Sequence, residues 1–220
     1  MKTYKVNLID SNLIEINGKV NHHLWEKAVS LKDFSSPWQS ETIENIEFRA
    51  LHDGKNLFVS YKVDDSSLHI DRTDSTKKSV DNSDRVELFL RSDNRLDPYY
   101  CLEIDPLARV QDFKARPNRE FDYLWDWPEK DIAIKSHITS TSFSVEIAIS
   151  IDSLERFNLI RNDGHIEAGI FRAKYNQHEN GRFEPTWITW VDPQTETPNF
   201  HTASAFGILK LEDFKVSKTV

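Results

Sequence analysis

The chain has 220 residues, with 28 Lys and Arg against 36 Asp and Glu, a formal net charge of −8. No basic cluster interrupts this acidic balance, which argues against a nucleic-acid partner, since phosphate binding needs concentrated positive surface. Nothing approaches the about 20 apolar residues of a membrane span.

No Pro/Gly/Ser-rich linker divides the sequence, so one domain over residues 1–220 is expected. The opening MKTYKVNLIDSN is broken by Asn7 and Asp10 and is not an intact signal peptide. That places the chain inside the cell, or makes it a secreted or periplasmic protein whose leader has gone. Cys101 is the only cysteine, so no intrachain disulfide forms. Inside a strand pattern, with no histidine partner evident, it reads as structural rather than nucleophilic.

In chain order, KVNLI and LIEI give the first strand signals, followed by the turn dipeptide Asn17-Gly18. Residues 47–65 alternate on both sides of Asp53-Gly54 and predict a hairpin, with Leu57, Val59, Tyr61 and Val63 sharing one face. Residues 64–83 are polar and serine-rich and predict a long loop. Strands are then expected at 85–91, 99–105, 109–114, 132–139, 143–150, 165–175, 186–191 and 206–211. Only two short helices are suggested, at 23–29 and 152–157, the second capped by Asp152 or Ser153. Many short strands with polar turns predict an all-β fold, an antiparallel, jelly-roll-like β-sandwich.

Four of these strands carry a glutamate between apolar neighbours: Glu87 in SDRVELFLR, Glu103 in CLEID, Glu146 in SVEIAI and Glu167 in HIEAGI. Period-2 alternation puts Glu87 opposite Val86, Leu88 and Leu90. The glutamates either decorate a solvated face, paired with Arg85, Lys62 or Arg172, or line a site on a common face with Arg172. Trp187 and Trp190 stand three apart in PTWITWVDP and so face opposite sides of a strand, one toward core and one toward surface. Trp125 and Trp127 lie in FDYLWDWPEKD, which reads as a loop. Tryptophans beside polar groups suit sugars, whose C–H faces stack on the ring, although single tryptophans more often fill cores.

The collinear motifs resemble carbohydrate-binding module family 9 and its bacterial family-9-like relatives. They are ING with Trp25 and Ala28, the DG hairpin with YKVDD, SDRVELFL, YYCLEID, SFSVEIAI, GIFRA, WITWVDP and PNFHTASAFGILKL. The resemblance implies a β-sandwich that binds sugar chain ends between two tryptophans, often near xylan-degrading enzymes, with oligosaccharide or polysaccharide as partner. No cofactor is required, while structural calcium stays open because the family carries it.

Carried over by position, Glu87 corresponds to a sugar-contacting glutamate, Trp190 to the second sandwiching tryptophan and Arg172 to a polar contact. The first tryptophan is missing: its position is Asp81. Trp125 or Trp127 is expected to replace it. Glu103 and His201, the latter in NFHTASAFG, complete the candidate ligand set, with His201 either reaching the slot or bracing the final strand.

The alternative is a polysaccharide-active glycoside hydrolase using Glu87 with Glu103 or Asp105 as paired carboxylates. The acidic loops at Asp64-Asp65 and Asp81/Asp84 offer oxygen ligands without EF-hand spacing. Adjacent His22-His23 make a poor one-face chelator. The lone Met1 disfavours methionine-ligated haem, and only 6 glycines leave no phosphate-cradling loop.

Overall fold

The structure, a computed structural model, describes residues 1–10, 13–40, 42–74 and 76–214. Its strands are β1 (Thr3–Leu8), β2 (Ile46–His52), β3 (Asn56–Asp64), β4 (Arg85–Arg91), β5 (Tyr99–Ile104) and β6 (Val110–Arg116), then β7 (Glu120–Asp122), β8 (Ile132–Ile138), β9 (Ser142–Ser150), β10 (His165–Gln177), β11 (Phe183–Thr189) and β12 (Gly207–Leu211). Two short helices accompany them, α1 (Lys78–Asp81) and α2 (Ile151–Arg156). Among the described residues no helix is long and apolar enough to cross a membrane.

The strands form one mixed, curled sheet in the order β7-β6-β5-β4-β10-β12-β1-β2-β3-β9-β8, with β11 added beside β10. Strand β1 joins the two halves. Its residues Thr3 to Val6 pair with β12 and its last two, Asn7 and Leu8, pair with β2, both in parallel. Every other strand pair is antiparallel, as consecutive hairpins dictate. The halves fold face to face, giving the β-sandwich that the alternation predicts.

Period 2 decides what lies between the halves. Val86, Leu88 and Leu90 of β4, Leu102 and Ile104 of β5, and Ile166, Ala168 and Ile170 of β10 meet Phe48, Leu57, Val59, Tyr61, Val63, Val145, Ile147 and Ile149 of the other half. The opposite face of the first half is covered as well. The segment from 191 to 206 folds back over it, so Phe89, Tyr99, Cys101, Phe113 and Phe171 pack with Phe200, Ala205 and Phe206 in a second core. Phe200 stacks on Phe171 at 4.0 Å and 9°.

Some elements differ from the sequence expectation. LIEI at 13–16 forms no strand; Ile14 and Ile16 instead pack beside Trp25 in a third apolar cluster. The loop expected at 64–83 contains α1, and the stretch expected as a loop after β6 begins with β7. The first short helix is a 3-10 turn at His23–Lys27. The cap of α2 is Ser150, which accepts from the Ser153 N–H at 3.1 Å, rather than Asp152 or Ser153.

Candidate functional site

Across the outer face of the first half, the register aligns Phe171, Glu87, Glu103 and Gln111 on neighbouring strands. The next row toward the hairpin end holds Trp187, Ala173 and Arg85. Two carboxylates thus stand side by side beneath one guanidinium. Arg85 Nε donates to Glu87 Oε1 at 2.9 Å and lies 3.1 Å from Glu103 Oε2. The Nε–H points at Glu87, so Glu103 Oε2 is held by the ion pair with Arg85 and has no well-aligned hydrogen bond among the described residues. Arg85 also donates to the Asp81 carbonyl at 2.9 Å, tying the end of α1 to the sheet. From the other half, the Tyr61 hydroxyl donates to the Glu87 carbonyl at 2.9 Å and pins β4 from beneath.

Glu87 is 1% exposed and Glu103 5%, so burial governs their charge. Burial pushes the Glu103 carboxyl up to about 8; Arg85 opposes this, and Glu87 and Asp81 reinforce it. Glu87 is raised for the same reason and is held down in part by Arg85. One proton on this carboxylate pair relieves the like-charge contact. The arrangement then presents both a donor and an acceptor.

Around the pair, Trp187, Phe200, His201, Asn199 and Arg119 close a slot of about 50 Å³. The slot is open on one side, so a group that enters it from solvent reaches the carboxylate pair at its floor. Its wall is Trp187, half-buried, edge-on to Phe200 at 5.5 Å and 86°, with the Arg85 guanidinium 5.5 Å from its ring centre. His201 Nδ1 lies 2.8 Å from the Tyr99 hydroxyl. Burial, with Arg119 and Arg85 nearby, pushes the imidazole down to about 3, so the ring is neutral. His201 therefore both lines the slot and braces the covering segment.

The structure brings Glu87, Glu103, Trp187 and His201 together and separates the other four candidates from them. Trp190 is 2% exposed, within the inter-sheet core, and its ring presses on Gly207. It has no free face for a sugar. Of the WITW pair, Trp187 takes the surface side. Trp125 and Trp127 pack with Tyr100 and Phe157 at the edge of the same core, Trp125 at 4.9 Å from Tyr100 and Trp127 at 5.4 Å from Phe157. Neither stands in for the ring missing at Asp81.

Arg172 shares a face with Ile170 and Ala168, opposite to Glu87. It is ion-paired with Asp65, which Lys174 also contacts at 2.9 Å, while Lys174 reaches Asp84 at 3.1 Å. These carboxylates are already neutralised by two cations and make a poor cage for a calcium ion. Among the described residues no three His, Cys, Asp or Glu side chains converge on a metal position.

The two remaining strand glutamates are structural. Glu146 accepts from Trp25 Nε1 and from the backbone N–H groups of Asn17 and Gly18. Glu167 accepts from Arg91 Nε at 2.7 Å and from Arg161. Neither lies on a solvated face, because both are more than nine-tenths buried. The residue missing from the expected ligand set is Arg85, which entered the sequence reading only as a pairing partner. Its signal was parity: it shares its face with Glu87 two positions on.

The buried carboxylate pair, its arginine and the half-buried Trp187 thus form one concave polar site on the face of a β-sandwich. The chain belongs to the carbohydrate family 9 binding domain-like family, whose model matches residues 16–214. No curated protein sequence matches it.

Among solved structures, a Bacteroides uniformis protein described as carbohydrate-binding aligns with TM-score 0.67 and 17% identity, over 96% of this chain and 99% of that one. A family 9 carbohydrate-binding module from Caldicellulosiruptor kristjanssonii in complex with glucose aligns with TM-score 0.61 and 19% identity, over 100% and 99% of the two chains. A structure of a family 9 module from the same organism with cellotriose gives 0.59 and 19%, over 99% and 96%.

Proposed function

We propose that the protein is a non-catalytic carbohydrate-binding domain, acting beside enzymes that break down polysaccharide, and that it takes a neutral sugar at the Trp187 slot. The observation that carries this reading is the half-buried Trp187 ring set beside a buried carboxylate pair and its arginine at the slot. An apolar ring face receives the C–H side of a pyranose, while Glu87 and Glu103 receive and offer hydroxyl hydrogen bonds. The relatives solved with glucose and cellotriose support the ligand class.

One observation favours a second reading, hydrolysis. A glutamate raised to about 8 beside another carboxylate is how a glycosidase holds its acid. Against it, Arg85 Nε lies within 3.1 Å of both carboxylates and favours the ionised form of each, which opposes a standing general acid.

The deciding experiment is calorimetric titration of the parent and Trp187→Ala with glucose and cello-, xylo- and laminari-oligosaccharides, with a reducing-end assay on the same mixtures. Binding that falls roughly tenfold or more in the variant, by analogy with other ring-stacking sites, and no release of reducing ends is expected. Equal binding by parent and variant overturns the slot. Reducing ends that disappear in Glu87→Gln and Glu103→Gln overturn the non-catalytic reading.

A further inference from the structure

On the far side of Asp81 and Gln111 from the slot lies a second, wider concavity of about 540 Å³, bounded by Tyr123, Gln111, Asp81, Lys77, Lys78 and Thr76. The Tyr123 ring is 50% exposed there. One side of it leans on Phe113 at 5.0 Å and Phe121 at 5.7 Å, which fixes the ring as a platform. Phe121 in turn sits 4.8 Å from His201 of the slot, so platform and slot share one support.

We infer that this concavity is a second sugar subsite, in which Tyr123 carries the next ring of a neutral oligosaccharide whose first ring is held at Trp187. The inference rests on the sugar-binding reading of the slot and gives it a length. Continuity between the two sites runs through named atoms. Gln111 stands beside Glu103 in the register and donates from Nε2 to Asp81 Oδ1 at 2.5 Å, while the Asp81 carbonyl accepts from Arg85. From Glu87 on β4 to Gln111 on β6 is two strand spacings, about 10 Å. A chain leaving the slot over Glu103 meets Gln111 and then the tyrosine.

The charges select a neutral chain. Lys77 is neutralised by Asp112 at 2.8 Å and by Asp126. Lys78 then faces Asp74 and Asp81 on the same rim, an excess of negative charge that disfavours uronate chains. Rings stack on a tyrosine through their C–H faces whatever the linkage, so Tyr123 sets the number of sugar units rather than their identity.

The test is calorimetry of the parent, Tyr123→Ala, Tyr123→Phe and Trp187→Ala with mono- and trisaccharides of the cello, xylo and laminari series and with trigalacturonate. Circular dichroism checks that each variant is folded. The expected result is that Tyr123→Ala binds trisaccharide roughly tenfold more weakly and binds monosaccharide like the parent. Tyr123→Phe keeps both affinities, and Trp187→Ala loses both. A parent that binds sugars together with a Tyr123→Ala variant of unchanged trisaccharide affinity overturns this subsite alone. Tighter binding of trigalacturonate than of neutral trisaccharides overturns the neutral-chain assignment. A parent that binds none of them overturns the sugar-binding reading and this inference with it.

Discussion

Glu146 Oε1 accepts the indole N–H of Trp25 at 2.7 Å, and Glu146 Oε2 takes the backbone N–H groups of Asn17 at 2.7 Å and Gly18 at 2.5 Å. A carboxylate at the centre of β9 thereby holds the Asn17-Gly18 turn and the following 3-10 turn against the sheet. Gly18 sits at φ +85, and a Cβ there would lie 2.5 Å from the Ser136 carbonyl group, so the turn docks only as glycine.

Glu146→Gln tests this clamp. An amide keeps one acceptor and turns an N–H₂ group toward donors that need an acceptor, at a side chain only 1% exposed. Loss of about 3 kcal/mol of stability is expected. Urea denaturation should show a lower midpoint with an unchanged slope. A shift below about 0.5 kcal/mol would mean that the clamp contributes nothing beyond packing.

Trp190 and Gly207 make a second stability test. A Cβ added at Gly207 would lie 2.4 Å from Trp190 Cζ3 and 3.0 Å from the Lys2 carbonyl oxygen. Gly207→Ala must displace a core tryptophan or the β1–β12 pairing, and should cost about 1–3 kcal/mol. Thermal melting measures the loss. Near-ultraviolet circular dichroism at pH 7 should change with it, since the displaced ring is an indole. A variant that melts like the parent would show that the indole yields without strain.

Legibility followed the range of the cause. Alternation is a local property, so the strand runs, the Asp53-Gly54 hairpin and the inward set of Val86, Leu88 and Leu90 could be read directly. The same parity rule placed Arg172 with Ile170, against Glu87, had it been applied to GIFRA; the family correspondence outweighed it. Which tryptophan of WITW faces the core depended on Gly207, 17 residues beyond Trp190, giving room to that ring. The slot itself needed the segment 191–206 to fold over an outer face that alternation alone marks as solvated. Tyr123 was passed over because two larger rings stood beside it, and only the packing of Tyr100 and Phe157 shows why those rings are engaged elsewhere.

Arg85 is the keystone of the slot and tests its electrostatics. Arg85→Met removes the only cation paired with Glu87 and Glu103 among the described residues and leaves two carboxyls buried together. At pH 7 a loss of about 3–5 kcal/mol is expected. The loss should shrink at pH 5, because protonated carboxyls need no counter-charge. Chemical denaturation at the two pH values measures both. Combining Arg85→Met with Glu103→Gln should recover part of the stability, the signature of coupled neighbours. Strict additivity would show that Arg85 acts through its contact with Asp81 or Trp187 instead.

The last expectation concerns pH alone. Burial raises Glu103 from the ordinary glutamate value of 4.5 to about 8 in the folded chain. Between those values the folded state holds a proton that the unfolded state has released, so stability falls as pH rises. The contribution is complete below about pH 4.5, declines through the interval and levels off above about pH 8. Arg85 opposes the shift but does not reverse it. Glu103→Gln imitates the protonated form at every pH and should therefore match the parent near pH 5 and exceed it near pH 8.5. The measurement is the difference in melting temperature between parent and variant across pH 5–9, which cancels groups common to both. A difference that stays constant across that range would mean that Glu103 titrates at its ordinary value, fully compensated by Arg85. In that case the slot would present two carboxylates and no carboxylic acid to an incoming hydroxyl.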